Sequence, residues 1–166
     1  ADPYHCSEDS IELVLDSYNP DNQYRWIFNG TSYIGSGLST FINITNPGTH
    51  PVKLVVTNQY GCVFESTYQD VTIVKADFDG YLSPNPISIC EGEAFSGISF
   101  TQTGGSSVLD TIIWMKGNHQ VGTGLSYVPT QSGQYWGVLV DTNGCKFNGM
   151  VTNPVDVSIR KRPFVN

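Results

Sequence analysis

Val52-Lys-Leu-Val-Val-Thr-Asn-Gln-Tyr-Gly-Cys62 and Gln134-Tyr-Trp-Gly-Val-Leu-Val-Asp-Thr-Asn-Gly-Cys145 are two versions of one pattern. Each is an apolar run rich in β-branched residues that ends in a turn and a cysteine, which reads as a long core strand about to turn back. Working outward, the likeness continues. Cys6, Trp26, Gly35-Ser-Gly-Leu-Ser39 and Tyr60-Gly61-Cys62 are followed, in the same order, by Cys90, Trp114, Gly122-Thr-Gly-Leu-Ser126 and Asn143-Gly144-Cys145. From Cys6 to Cys62 is 56 residues and from Cys90 to Cys145 is 55. The two first cysteines lie 84 residues apart and the two second ones 83. A fixed period of this size means two copies of one small domain. The expected boundary lies near Lys75-Ala-Asp-Phe-Asp-Gly80, which gives domains 1–75 and 76–166 joined by a short linker. Arrays of small cysteine-paired β domains serve as stalks and binding modules far more often than as enzymes.

Composition fits that organisation. The chain has 17 Gly, 9 Pro and 9 Tyr, only 14% charged residues, and no window with a helical apolar period over three turns. In the first copy, strands are expected at Ile11–Leu15, Tyr24–Phe28, Thr40–Ile44, Val52–Thr57, Cys62–Ser66 and Asp70–Val74. In the second they are expected at Phe95–Thr101, Thr111–Met115, Leu125–Val128, Gln134–Val140 and Pro154–Ile159. Asn29-Gly30 and Gly117-Asn118 are hairpin-turn signals. Many short strands separated by turns predict an all-β chain of two tandem immunoglobulin-like β-sandwiches, with Trp26 and Trp114 as core aromatics. Tyr135 and Trp136 alternate, so one of the two should face outward, and the pair is the candidate ligand-stacking platform.

The net charge of −7 argues against nucleic acid and anionic membranes, both of which call for a basic face. No apolar run is long enough for a transmembrane helix, and no signal peptide stands at Ala1. The chain reads as a monomeric fragment of a longer mature protein. Four cysteines in two matched pairs suggest disulfides and an oxidising compartment. The repeat favours Cys6 with Cys62 and Cys90 with Cys145. A standard immunoglobulin strand order puts those partners at opposite ends, so the three connectivities open to four cysteines stay open.

Tyr24-Arg-Trp-Ile-Phe-Asn-Gly30 followed by Pro47-Gly-Thr-His-Pro-Val-Lys-Leu-Val-Val-Thr-Asn-Gln-Tyr-Gly-Cys62 resembles a PKD-like domain, and Val128 to Cys145 resembles its Ig-like variant. Asn29-Gly30-Thr31 and Gly117-Asn118 stand where that family carries Gly-Asp-Gly, and His50 where it carries tyrosine. The resemblance implies PKD-like/Ig-like modules in tandem within large cell-surface proteins of Bacteroidota, including gliding-motility adhesins exported by type IX secretion. Implied partners are neighbouring repeats of the same polypeptide and a glycan or surface-protein ligand. Asp9-Ser10-Ile11 and Asp110-Thr111-Ile112 resemble the O-glycosylation signal of these bacteria, which makes Ser10 and Thr111 candidate modification sites.

Catalytic signatures are missing from the sequence: there is no Gly-x-Ser-x-Gly, no phosphate loop and no His-Glu-x-x-His. The expectation is therefore no enzyme and no cofactor. A calcium site is the one metal hypothesis. Asp77 and Asp79 in the linker, with Glu91 and Glu93 after Cys90, offer hard oxygen ligands if the linker folds back over the second domain. The functional expectation is a non-catalytic stalk and adhesion repeat. Its rivals are a carbohydrate-binding accessory module of a secreted enzyme and a protein-binding part of the export or motility machinery.

Overall fold

The structure, a computed structural model, describes residues 4–35 and 38–165. Ser36 and Gly37 of the first glycine-rich run lie outside the described residues. The chain divides into two compact units, Ala1–Lys75 and Ala76–Asn166. Both are built from strands. The helical element among the described residues is a single 3-10 turn, Gly149–Thr152.

Unit 1 contains β1 (Tyr4–Cys6), β2 (Ser10–Val14), β3 (Gln23–Phe28), β4 (Thr31–Gly35), β5 (Ser39–Asn43), β6 (Gly48–Thr57), β7 (Val63–Glu65) and β8 (Gln69–Val74). One sheet runs β1-β8-β6-β3-β4 with β7 added on β6, and β2 with β5 forms the other. The alternation of β2 puts Ile11 and Leu13 inward and Ser10, Glu12 and Val14 outward. These two residues pack with Phe28, Ile42, Ile44, Val52 and Ile73 to form the core between the sheets. At the β3–β4 hairpin Phe28 faces Thr31, so Asn29-Gly30 is a two-residue turn. Both turn residues have positive φ (43° and 76°), the backbone that an Asn-Gly pair adopts most readily.

Unit 2 contains β9 (Asp79–Ser83), β10 (Ile87–Cys90), β11 (Ile98–Gly104), β12 (Leu109–Lys116), β13 (His119–Thr123), β14 (Ser126–Tyr127), β15 (Gly133–Asp141), β16 (Lys146–Phe147) and β17 (Val155–Arg160). The larger sheet runs β10-β17-β15-β12-β13 with β16 on β15, and the second runs β14-β11-β9. Both units share one device at their openings. A short first strand of the larger sheet pairs in parallel with the last strand, β1 with β8 and β10 with β17.

The sequence pattern located the central strands and missed β1, β4, β9, β10, β13 and β16. Asp79 and Gly80 are not linker: they open β9, which pairs with β11 through Asp79 opposite Gly104 and Leu82 opposite Phe100. A side chain at Gly80 would collide with the Thr101 carbonyl and the Phe100 ring, so only glycine lets β9 approach this closely. Phe78 then inserts edge-on between Phe100 and Phe147, at ring-centroid distances of 6.1 and 5.9 Å.

Candidate functional site

The two expected core tryptophans have different surroundings. Trp114 is fully buried, and its indole Nε1 donates to the Gly124 carbonyl at 2.9 Å. Opposite it on β15 stands Gly137, where a Cβ would meet Ile112 Cγ2 at 2.6 Å, so the missing side chain makes the space for Ile112 beside the indole. Trp114, Tyr127 and Tyr135 form a chain of rings with centroids 6.2 and 5.8 Å apart. Trp26 is only half-buried against the core of unit 1. Among the described residues, unit 2 carries three strands in its second sheet and unit 1 carries two. Trp26 borders a cleft of about 650 Å³ that opens between the sheets of unit 1 along β2. Leu13, Leu15, Val52 and Val71 supply its apolar floor, and Glu12, Asp16, Asn22, Lys53 and Gln69 its polar rim. That size and mixture match small-ligand sites. The Lys53 ammonium is held by Glu65 Oε2 at 2.6 Å and lies 5.1 Å from the centre of the Tyr68 ring. Its pKa is raised, chiefly through the hydrogen bond to Glu65. Sequence reading did not find this cleft, because its lining comes from four strands whose convergence is set by topology.

The expected stacking pair behaves differently. Tyr135 is 1% exposed and belongs to the core, so it cannot form a ligand platform. Its hydroxyl donates to the Gln131 carbonyl at 2.8 Å, four residues upstream, which is the tyrosine-corner arrangement of immunoglobulin-like sandwiches. Burial pushes the Tyr135 phenol above its ordinary pKa, and the neighbouring Tyr127 adds to the shift. Trp136 is the outward member, half-buried, with its indole N–H spent on the Gly117 carbonyl at 3.0 Å. In unit 1 the corner position belongs to His50. Its Nε2 donates to the Asn46 carbonyl, also four residues upstream, and its Nδ1 accepts from Asn29 Nδ2, both at 2.8 Å. Histidine thus makes the same backbone bond as the tyrosine it replaces and braces the adjacent hairpin as well.

Each second cysteine sits on a side-chain-braced turn. Asn58 Oδ1 accepts from the backbone N–H groups of Tyr60 and Cys62, and Asp141 Oδ1 from those of Asn143 and Cys145. Asp141 is 2% exposed, and its Oδ2 accepts from Ser107 Oγ. Gly61 and Gly144 share a φ of 82° at the tip, a conformation that disfavours other residues.

The register of the sheets corrects the pairing expected within each copy. Cys6 is level with Val74, beside the Gly48 end of β6, whereas Cys62 follows the Thr57 end. Cys90 is level with Arg160, beyond the Gly133 end of β15, whereas Cys145 follows the Asp141 end. Strands of ten and nine residues hold these ends roughly 30 Å apart at about 3.3 Å per residue. A disulfide needs Cα atoms within about 7 Å. Cys6 and Cys145 are each disulfide-bonded, while Cys62 and Cys90 are exposed free thiols.

The four carboxylates of the calcium hypothesis are not brought together. Asp77 Oδ2 accepts from Ser106 N and Oγ, and Asp79 begins β9, both at the end of unit 2 that carries Ser107 and Asp141. Glu93 Oε2 accepts from the Cys90 N–H, and Glu91 N–H bonds the Arg160 carbonyl, at the opposite end. Among the described residues no group of three or more metal-ligating side chains is assembled. Of the two candidate glycosylation residues, Ser10 is exposed at the start of β2, and Thr111 is half-buried within β12, opposite Val140 of β15.

No family model matches the sequence, and no curated protein matches it. Solved structures do. Fibronectin(III)-like modules of CbhA from Clostridium thermocellum match at a TM-score of 0.52 with 14% identity, over 95% of this chain and 89% of theirs. The fold is that of fibronectin-III-like sandwiches. Weaker matches are a Bacteroides ovatus surface glycan-binding protein in complex with a mixed-linkage heptasaccharide and Drosophila OTK extracellular domains 3-5. The former has a TM-score of 0.36 and 15% identity over 93% of this chain and 42% of that one. The latter has a TM-score of 0.29 and 12% identity, over 95% and 61%. No helix among the described residues is long and apolar enough to cross a membrane.

Proposed function

We propose that this chain is a pair of non-catalytic modules from a large exported bacterial surface protein, working as spacer and as adhesion element. The Bacteroidota setting, with gliding motility and type IX export, is part of this proposal and rests on the PKD-like resemblance of Tyr24–Gly30 and Pro47–Cys62. Export is supported by the oxidised state of Cys6 and Cys145. The observation that carries adhesion is the cleft of unit 1, where the half-buried Trp26 stands over an apolar floor within a rim of Glu12, Asp16, Asn22 and Gln69. An aromatic face beside carboxylates and amides suits a sugar ring, whose C–H face is apolar and whose hydroxyls seek hydrogen-bond partners. The ligand class assigned is therefore a neutral polysaccharide, with neighbouring modules of the same polypeptide as the other partner.

The test is a glycan array followed by calorimetric titration of the strongest binder. Glu12 and Asp16 are exposed, so Glu12→Gln and Asp16→Ala leave the fold intact. Each is expected to weaken binding about tenfold, equivalent to ~1.4 kcal/mol. Trp136→Ala, outside the cleft, is expected to leave affinity unchanged. An array with no binder, or binding indifferent to Glu12 and Asp16, would refute glycan adhesion through this cleft.

A further inference from the structure

We infer that unit 2 carries a second binding site, centred on Lys116 at the β12–β13 turn, for the carboxylate of an acidic sugar unit within a polysaccharide. A cavity of about 640 Å³ opens there, lined by Lys116, Gly117, His119, Val121, Gln131 and Gln134. Lys116 ends β12, with Tyr135 level with it on one neighbouring strand and His119 on the other. Three contacts hold its side chain. A Cβ at Gly133 would lie 2.8 Å from Lys116 Cε, so that glycine leaves the lysine stem its path. The ammonium donates to Gln131 Oε1 at 2.8 Å and stands 5.7 Å from the centre of the Tyr135 ring. Each of these partners is neutral. Among the described residues Lys116 makes no ion pair, in a chain whose net charge is −7. A positioned ammonium with N–H donors left over and no carboxylate partner is an anion receptor.

The other lining groups decide which anion. Gln131 Oε1 is spent on Lys116, and its Nε2 donors have no partner among the described residues. Gln134 Nε2 is spent on Asp156 Oδ1 at 2.9 Å, which leaves its Oε1 as an acceptor. Amide donors beside an amide acceptor suit sugar hydroxyls, which both give and take hydrogen bonds, and Val121 offers an apolar contact for the C–H face of a ring. A single fixed cation, with Asp156 nearby, suits an isolated carboxylate. A polymer dense in phosphate or sulfate would meet the repulsion of the acidic chain. An extended acidic peptide would need a regular strand edge to pair with. Among the described residues β13 is the free edge of its sheet, but a bulge interrupts it: Met115 faces Gln120 and Trp114 faces Gly122, so Val121 is the extra residue, standing in the cavity wall. The site lies wholly in unit 2 and is distinct from the neutral-polysaccharide cleft of unit 1, so either can fail alone.

The test is side-chain NMR of the whole chain titrated with millimolar oligomers of galacturonate, glucuronate and mannuronate. Each is compared with its methyl ester, which removes the charge and keeps the sugar. At least one free acid is expected to shift the Lys116 ammonium and the Gln131 and Gln134 amide signals saturably, and its ester to bind about tenfold more weakly. Lys116→Met keeps an apolar stem over Tyr135 and removes the charge. Gln131→Glu, at an exposed position, keeps the fold and gives Lys116 an internal counter-ion. Both are expected to weaken the binding about tenfold, whereas Lys116→Arg retains most of it and Glu12→Gln in unit 1 leaves it unchanged. If Lys116 serves only to cover Tyr135, Lys116→Met and Gln131→Glu leave the affinity untouched, and the inference falls. Equal binding of acid and ester, shifts with inorganic phosphate but with none of the uronates, or tighter binding of an acidic tetrapeptide also overturns it.

Discussion

Replacing Tyr135 by phenylalanine isolates the corner bond of unit 2, because the ring stays and only the hydroxyl goes. Tyr135 is 1% exposed, and its hydroxyl donates to the Gln131 carbonyl at 2.8 Å. The net worth of such a bond is ~0.5–1.5 kcal/mol. Gln131 is exposed, so water can reach its carbonyl once the hydroxyl is lost, and the expected loss is about 1 kcal/mol rather than the larger penalty of a stranded buried acceptor. For a domain of this size that is a Tm decrease of about 4–8 °C. The pH dependence supplies a second, sharper readout. Burial raises the phenol pKa in the folded state above its ordinary value near 10, with Tyr127 adding to the effect. The folded state thus holds the proton more tightly than the unfolded chain. The stability linked to it is complete below about pH 10 and is lost as pH rises through the folded pKa. Lys116 lies 5.7 Å from the ring centre and bonds Gln131, and it is charged through most of that range. Urea unfolding followed by tryptophan fluorescence, run from about pH 7 to about pH 11.5, measures the difference between wild type and Tyr135→Phe. The advantage of wild type should shrink above about pH 10. An advantage that is absent at pH 7, or flat across the whole range, would refute the corner as described.

Further outcomes follow from the packing. Gly137→Ala puts a methyl 2.6 Å from Ile112 Cγ2 beneath the buried Trp114, so thermal unfolding should show a loss of ~1–3 kcal/mol. Asp141→Ala removes the acceptor of the Asn143 and Cys145 N–H groups, the second of them buried, and should cost ~2–3 kcal/mol in urea titration. Asn58→Ala, at the partly exposed equivalent turn, should cost about 1 kcal/mol. His50→Ala loses bonds to both Asn29 and Asn46 and should destabilise unit 1 by ~2 kcal/mol, whereas His50→Tyr should recover part of this by remaking the backbone bond. Titration with millimolar calcium should yield no binding heat, since Asp77 and Asp79 lie a strand length from Glu91 and Glu93. A saturable heat would show a site that these four carboxylates do not explain.

Much of the fold was legible because its signals are local. Alternation in Ile11–Leu15, the Asn-Gly turn at residue 29 and the apolar runs before each turn cysteine all act within a few residues. What escaped depends on distant partners. β1 and β10 are brief segments made into strands by parallel pairing with β8 and β17, which follow more than sixty residues later. β9 reads as linker because Asp-Phe-Asp-Gly looks like a loop, until β11 supplies a partner and Phe100 a surface. Trp26 and Trp114 hold equivalent places in the sequence, yet one borders a cleft and the other is sealed. Trp114 is covered by Tyr127 and bonded to the Gly124 carbonyl, contacts that depend on residues ten or more positions along the chain.

The cysteines show most clearly where sequence periodicity stops. A period fixes which residues are equivalent and says nothing about which of them bond. The sheet register excludes bonds within a copy, since the end of a module that holds its first cysteine and the end that holds its turn cysteine are a strand length apart.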